Sequence, residues 1–102
     1  MDVVFFNTKI HSYILSLEKP SAAKAFRTIG LLRSFGNKLG MPYSKQVRPN
    51  LYELRTRGQQ EIRIFYCFYN GRAIILHTFV KKSQKTPGKE IETALGRINL
   101  LT

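Results

Sequence analysis

Cysteine and long apolar runs are scarce in this chain, and each scarcity excludes a class of protein. Cys67 is the single cysteine in 102 residues, so no internal disulfide can form and a disulfide-stapled secreted scaffold is excluded. No stretch approaches the ~20 consecutive apolar residues that cross a bilayer. The N-terminal sequence MDVVFFNTKIH has no basic segment ahead of its short apolar stretch, which is not typical of a signal peptide. We therefore expect a cytoplasmic protein with no membrane partner.

Carboxylates and histidines are also few, and their scarcity argues against metal chemistry. The chain has six Asp and Glu residues and two histidines. No Cys/His cluster has zinc spacing, and no glycine-rich phosphate loop precedes a helix. A two-metal nuclease needs several carboxylates, and the strands predicted below supply only Glu53 and Glu61. We expect no metal and no cofactor.

Positive charge is what the chain has in excess. Lys and Arg number 17, which gives a formal net charge of +11. A compact chain with this charge repels itself, so nucleic acid, an anionic membrane or an acidic protein is the expected partner. The length and the 43% hydrophobic content predict one globular domain over residues 1–102.

The N-terminal half has the periodicity of a strand followed by two helices. Val3 to Phe6 is a short apolar run and predicts the first strand. Asn7 or Thr8 then caps a first helix, and Pro20 opens a second one. Residues 37–50, punctuated by prolines, are interpreted as a loop.

The C-terminal half has the two-residue alternation of strands. LYELRTR and EIRIFYCFY both alternate, and Asn70-Gly71 joins the second of these to AIILHTFV through a type I′ turn. Thr86-Pro87 then provides the N-cap and first residue of a last helix. The order β-α-α-β-β-β-α predicts an α+β fold. Its small, mostly antiparallel sheet has the two N-terminal helices on one face, and a C-terminal helix completes it.

Four cationic residues on these strands are predicted to lie close together. In a hairpin turning at Gly58, Arg55 and Arg63 lie near opposite positions, where like charges destabilise a sheet. Lys81 and Lys82 leave the next strand on the other side of Arg63, and strands lie ~4.8 Å apart. Such a cluster stabilises extra negative charge at a phosphate. The two lysines are adjacent on a strand that is apolar on both sides, so we expect one of them to point away.

Three segments carry a resemblance to a known family. LYELR, IRIFY and IILHTFVKKSQKTP, leading into EIETAL, resemble the RelE/ParE toxin superfamily of bacterial type II toxin–antitoxin systems, and its HigB-like branch most closely. The resemblance covers about Leu51 to Ala94, whereas the N-terminal half fits only in its two helices. It implies a toxin that acts as a ribosome-dependent mRNA endoribonuclease, with the ribosome and mRNA as partners. It also implies a cognate antitoxin, expected to be an acidic helix-turn-helix protein.

The implied reaction is a metal-free attack of a ribose 2′-hydroxyl on the neighbouring phosphate, which leaves a 2′,3′-cyclic phosphate and a 5′-hydroxyl end. The resemblance places the basic catalytic positions at Arg55, Arg63, Lys81 and Lys82. The competing interpretation is that the arginines are ordinary surface residues and that the lysines protect a sheet edge from aggregation.

The general base is open between Glu53 and His77. Glu53 falls where some members of the family have an acid and others a lysine, and it also suits a structural ion pair with an arginine. His77 has a suitable ordinary pKa of ~6.5, but its apolar neighbours also fit a core histidine. Many relatives use a tyrosine or histidine near the C-terminus, whereas this chain has no tyrosine after Tyr69.

Further residues are predicted to bind RNA without taking part in the chemistry. Lys45, Arg48, Arg57 and Lys85 are interpreted as phosphate contacts. Phe65 shares a face with Arg63 and is the favoured ring for base stacking. Two other functions remain open from the sequence: a ParE-like inhibitor of DNA gyrase, and a non-catalytic basic RNA-binding module that uses the sheet as a platform.

Overall fold

The computed structural model describes residues 1–101 and has one five-stranded sheet with helices on both faces. Its elements, in chain order, are β1 (Val3–Phe5), α1 (Thr8–Leu15), α2 (Lys19–Phe35), a 3₁₀ turn (Gly36–Lys38), β2 (Ser44–Arg48), β3 (Leu51–Thr56), β4 (Ile62–Tyr69), β5 (Arg72–Val80) and α3 (Gly88–Asn99). The strand order is β1-β5-β4-β3-β2, with β1 parallel to β5 and the remaining pairs antiparallel. This arrangement confirms the predicted α+β class and the mostly antiparallel sheet.

Strand β2 corrects the prediction of a loop over residues 37–50. Ser44, Lys45 and Gln46 pair with Leu54, Glu53 and Tyr52 of β3, and the register shifts before Arg48. The strand lies at the edge of the sheet and most of its residues are exposed. An exposed polar edge strand buries no apolar row, so it has none of the alternation by which a strand is recognised in sequence.

Local sequence signals explain where several elements begin. The Asn7 side chain accepts a hydrogen bond from Ile10 N at 3.0 Å, which confirms it as the cap of α1. Asn70 and Gly71 have φ values of 52° and 73°, as the predicted type I′ turn requires. The start of α3 differs by one residue, because Pro87 is extended at the N-cap position and Gly88 is the first helical residue.

The two faces of the sheet bury two separate clusters. On one face, α1 and α2 cover a cluster that includes Ile14, Ile29, Leu54, Ile64 and Ile75. On the other face, α3 places Ala94 against Phe65, Cys67, Ile74 and Leu76. Full burial of one such aliphatic or aromatic side chain stabilises the fold by roughly 1.5–3 kcal/mol. The central strands β4 and β5 carry apolar residues on both faces, and Arg55 and Arg63 lie towards one end of β3 and β4.

The described residues include no helix with both the length and the apolarity to cross a membrane.

Candidate functional site

Two arginines face each other on the central strands, with a carboxylate next to both. Arg55 of β3 is paired with Arg63 of β4 in the sheet register. The Glu53 Oε1 atom lies 3.1 Å from Arg55 Nε and 3.7 Å from Arg63 Nε. Glu53 is only 3% exposed, and its charge offsets the repulsion that two directly opposed cations create.

Arg63 is a buried cation held in place from several directions. It is 3% exposed. Its Nη1 donates to Ile62 O at 3.3 Å, and its Nη2 lies 3.7 Å from Glu61 Oε1. Its Nε has no hydrogen-bond partner among residues 1–101. Both of its carboxylate neighbours lie at 3.7 Å, so Arg63 is a buried cation whose ion pairs are longer than hydrogen bonds.

The neighbouring strand adds two lysines where its pairing ends. Lys81 N donates to Glu61 O at 2.7 Å, one step beyond the last paired residues of β4 and β5, Ile62 and Val80. Because β5 ends at Val80, the alternation of a strand does not govern the next two side chains. Both Lys81 and Lys82 line the same cleft, so both are candidates for a phosphate contact.

These residues enclose a cleft of about 530 Å³, here called the cation cleft. It lies at the end of the sheet, between the β3–β4 turn and the segment that follows β5. The lining residues are Arg55, Arg57, Glu61, Arg63, Lys81, Lys82, Ser83 and Gln84. Five of them are cationic and one is a carboxylate, which favours a polyanionic ligand such as a nucleic-acid backbone.

Glu61 is the site residue that sequence reasoning missed. From the sequence, Glu61 was interpreted only as one of the two carboxylates on the predicted strands. In the structure it is the one carboxylate lining the cation cleft among the described residues, and its side chain is 41% exposed. One feature of the sequence could have indicated this role. Glu61 directly precedes β4 and lies two residues from Arg63, where a side chain can extend beyond the end of the sheet.

Glu53 and His77, the two predicted bases, do not line the cation cleft. Glu53 lies beside it, held by Arg55 and Arg63. The His77 Nε2 atom is 2.9 Å from Glu90 Oε1 of α3. His77 lines a separate cavity of about 150 Å³.

A β-bulge explains the position of His77. Phe65 pairs with His77 and Tyr66 with Ile75, so Leu76 of β5 is the extra residue. Such a bulge re-aims the side chains around it. Arg97 of α3 donates from Nη1 to the freed Leu76 carbonyl at 2.6 Å. Both the bulge residue Leu76 and its neighbour His77 are therefore hydrogen-bonded to α3, through Arg97 and Glu90.

The residues predicted to bind RNA without chemistry divide into three groups. Arg57 lines the cation cleft. Lys45, Arg48 and Lys85 are exposed but do not line it. Phe65 is fully buried in the cluster under α3 and contacts the Phe79 ring. This position corrects the stacking prediction, because a base cannot reach a ring with no exposed surface.

Tyr66 of β4 offers no substitute for the tyrosine that many RelE-like toxins have near the C-terminus. Tyr66 belongs to the cluster under α1 and α2, on the face of the sheet opposite to Phe65. Burial raises the pKa of Tyr66, and its hydroxyl hydrogen-bonds the Ser44 hydroxyl at 2.5 Å. Tyr66 is therefore a packing residue with a satisfied hydroxyl.

Within residues 1–101, no three side chains of His, Cys, Asp and Glu come close enough together to hold a metal ion.

Comparison with known proteins identifies the family. The family model described as phage-derived protein Gp49-like (DUF891) matches residues 12–99. This match includes the second half of α1, all of α2, strands β2 to β5, and α3. A search of curated proteins gives no significant match. The chain belongs to the phage-derived Gp49-like family, a family of RelE-like toxins.

Proposed function

We propose that this protein is the toxin of a type II toxin–antitoxin system and that it is a ribosome-dependent mRNA endoribonuclease. The observation that carries the proposal is the cation cleft, in which Arg55, Arg63, Lys81 and Lys82 surround one accessible carboxylate. Family membership supports the toxin role, and the chemistry of the cleft supports the choice of RNA as substrate.

The cations would bind the scissile phosphate and stabilise the charge that develops in the transition state. Attack by a 2′-hydroxyl converts a phosphodiester with one negative charge into a phosphorane with more. Groups that are fixed before the reaction stabilise such charge without reorganising. Arg63 fits this role because Glu53, Glu61 and the Ile62 carbonyl hold its guanidinium at the edge of the cleft.

Glu61 is the general base that the geometry favours. Its carboxylate takes the proton from the 2′-hydroxyl as the oxygen attacks phosphorus. The bond from phosphorus to the 5′-oxygen then breaks, and the departing oxygen takes a proton from the ammonium group of Lys81 or Lys82. The products are a 2′,3′-cyclic phosphate and a 5′-hydroxyl end. General acid–base catalysis needs groups within hydrogen-bond reach of the reacting atoms, and Glu61 and the lysines line one cleft.

The charge of the whole chain supports its proposed partners. A net charge of +11 attracts the ribosome and its message at long range. The same charge is complementary to an acidic antitoxin, and we propose that a cognate helix-turn-helix protein of that kind silences the toxin.

The test is cleavage of mRNA in a translating extract by purified protein, compared with the Arg63→Ala variant. We expect cut messages with 5′-hydroxyl ends, and a rate at least ~10²-fold lower for the variant. Circular dichroism of both proteins checks that the variant folds. Equal cleavage by a folded variant would refute the assignment of the site, and intact message with wild-type protein would refute the function.

Two other outcomes distinguish the competing functions. Double-strand breaks in cellular DNA with intact mRNA indicate a ParE-like inhibitor of gyrase. Salt-dependent RNA binding with neither cleavage nor growth arrest indicates a non-catalytic RNA-binding module.

A further inference from the structure

A second groove lies next to the cation cleft, on the side of the sheet covered by α2. Its volume is about 620 Å³. We call it the α2 groove; its walls include Lys24, Arg27 and Leu31 of α2, and Pro42 and Tyr43 ahead of β2. The three α2 residues stand at positions i, i+3 and i+7, which lie on one face of a helix.

The α2 groove and the cation cleft share a wall. Arg55 and Arg57, at the end of β3 and just beyond it, line both cavities. A chain whose phosphate lies in the cation cleft can therefore continue past these arginines into the second groove. Lys24 braces this junction, because its Nζ donates to the Arg57 carbonyl at 3.2 Å.

The α2 groove combines positive charge with apolar and aromatic surface. Among its described lining residues four are cationic and none is a carboxylate. Tyr43 is 45% exposed, and its carbonyl accepts a hydrogen bond from Arg55 N at 2.9 Å, which fixes its backbone beside β3. Cations that follow a backbone, together with an exposed aromatic ring, are the features by which proteins bind single-stranded nucleic acid.

We propose that the α2 groove binds the first nucleotide beyond the two that flank the scissile phosphate. Its base stacks on the Tyr43 ring, and its own phosphate contacts Arg27 and Lys24. The assignment of the scissile phosphate to the cation cleft rests on the proposed function, whereas the groove itself requires only that RNA continues past Arg55 and Arg57. Tyr43 and Arg27 thereby set the position of the RNA without taking part in the chemistry.

The experiment measures binding of short 2′-O-methyl oligoribonucleotides, which have no nucleophile and stay intact. Dinucleotides to pentanucleotides with a 5′ fluorophore are titrated with wild-type protein and with Tyr43→Ala, Tyr43→Phe and Arg27→Gln. Arg33→Gln, on the same helix but outside both cavities, is the matched charge control. Wild-type affinity should rise about tenfold at the length that first reaches the α2 groove, which is the gain typical of one stacked base.

Tyr43→Ala should remove this length-dependent rise and leave dinucleotide binding unchanged, while Tyr43→Phe should keep it. Arg27→Gln should reduce the slope of log affinity against log salt by about 0.7, and Arg33→Gln should leave the slope unchanged. A rise that persists in a folded Tyr43→Ala variant overturns the proposal, as does affinity that does not change with length.

Failure of this inference is distinguishable from failure of the proposed function by cleavage in the translating extract. If wild-type protein cuts mRNA and Tyr43→Ala cuts the same positions at the same rate, the groove assignment is overturned and the nuclease stands. If wild-type protein leaves mRNA intact but its affinity for oligonucleotides still shows the Tyr43-dependent rise with length, the nuclease function is refuted and the nucleotide site stands.

Discussion

Arg55 and Arg63 lie directly opposite each other on neighbouring antiparallel strands, with the Glu53 carboxylate within 4 Å of the Nε atom of each. Two like charges at paired positions weaken a sheet, and a buried charge is tolerated only when it is paired. Glu53 meets both requirements with one oxygen atom. It is thus better explained as the residue that positions the two arginines than as a base.

Replacing Glu53 with glutamine should destabilise the fold. The amide keeps the shape of the side chain but leaves two buried or half-buried cations facing each other without a counter-charge. We expect the free energy of unfolding to fall by on the order of 3 kcal/mol, measured by urea denaturation. Glu92→Gln, an equal change of charge at an exposed position of α3, is the control and should stay within about 0.5 kcal/mol of wild type.

The double variant Glu53→Gln/Arg55→Gln sharpens this prediction. Removing one of the two cations relieves part of the repulsion, so the double variant should be more stable than the sum of the single changes implies. Additive effects would show that Glu53 does not couple to Arg55.

Replacing Glu61 with glutamine should lower the cleavage rate with little effect on stability. Its carboxylate is 41% exposed and pairs only loosely with Arg63, at 3.7 Å. A general base contributes roughly 10²–10⁴-fold to a rate, and the amide cannot accept the proton. The measurement is the rate of message cleavage at saturating ribosome concentration, with the urea midpoint followed in parallel.

His77→Gln serves as the contrasting variant for Glu61→Gln. His77 is hydrogen-bonded to Glu90 and lines a different cavity, so its variant should keep cleavage within about tenfold of wild type. A loss as large as that of Glu61→Gln would restore His77 as the base and overturn the assignment to Glu61.

Lys81 and Lys82 should each contribute to the salt dependence of RNA binding, whereas Lys85 should not. The first two line the cation cleft, and Lys85 lies in the same segment outside it. Each lost phosphate contact reduces the slope of log affinity against log salt by about 0.7 for a single strand. Fluorescence titrations of Lys81→Gln, Lys82→Gln and Lys85→Gln across a salt series measure this. Equal slopes for all three variants would contradict the assignment of Lys81 and Lys82, but not Lys85, to the cation cleft.

The paired arginines were predictable from sequence because strand alternation and turn chemistry are local. LYELRTR and EIRIFYCFY alternate clearly, and the register that follows from a turn near Gly58 places Arg55 opposite Arg63, as observed. The type I′ turn at Asn70-Gly71 was also predictable from local sequence, because few residue pairs tolerate two positive φ values.

The remaining features depend on tertiary contacts that no local pattern records. Glu61 lies beyond the end of a strand, where alternation no longer indicates direction, and only the hydrogen bond from Lys81 N places it beside the lysines. His77 was displaced by a bulge that has no signature in AIILHTFV. Phe65 lies two residues from Arg63 on the same strand face, as predicted, but α3 packs over it and buries the ring.

Cys67 should be unreactive in the folded protein and should make stability depend on alkaline pH. Burial raises the pKa of the Cys67 thiol from its ordinary 9.0 to about 11. At about pH 8 this lowers the thiolate population roughly a hundredfold, and the thiolate is the form that reacts. Iodoacetamide should therefore modify denatured protein quickly and folded protein at least about a hundredfold more slowly. Comparable rates in the two states would show that the cluster under α3 opens readily.

The direction of the pH effect follows from linkage. A pKa that is higher in the folded state means that folded protein binds the proton more tightly, so this contribution to stability is fully present below pH 9 and is lost as the pH rises through about 11. Cys67→Ala removes the titrating group and keeps the small apolar side chain. Between pH 9 and 11, wild-type protein should lose stability relative to Cys67→Ala, measured by urea denaturation at each pH. Parallel pH profiles for the two proteins would contradict a buried thiol that titrates only at high pH.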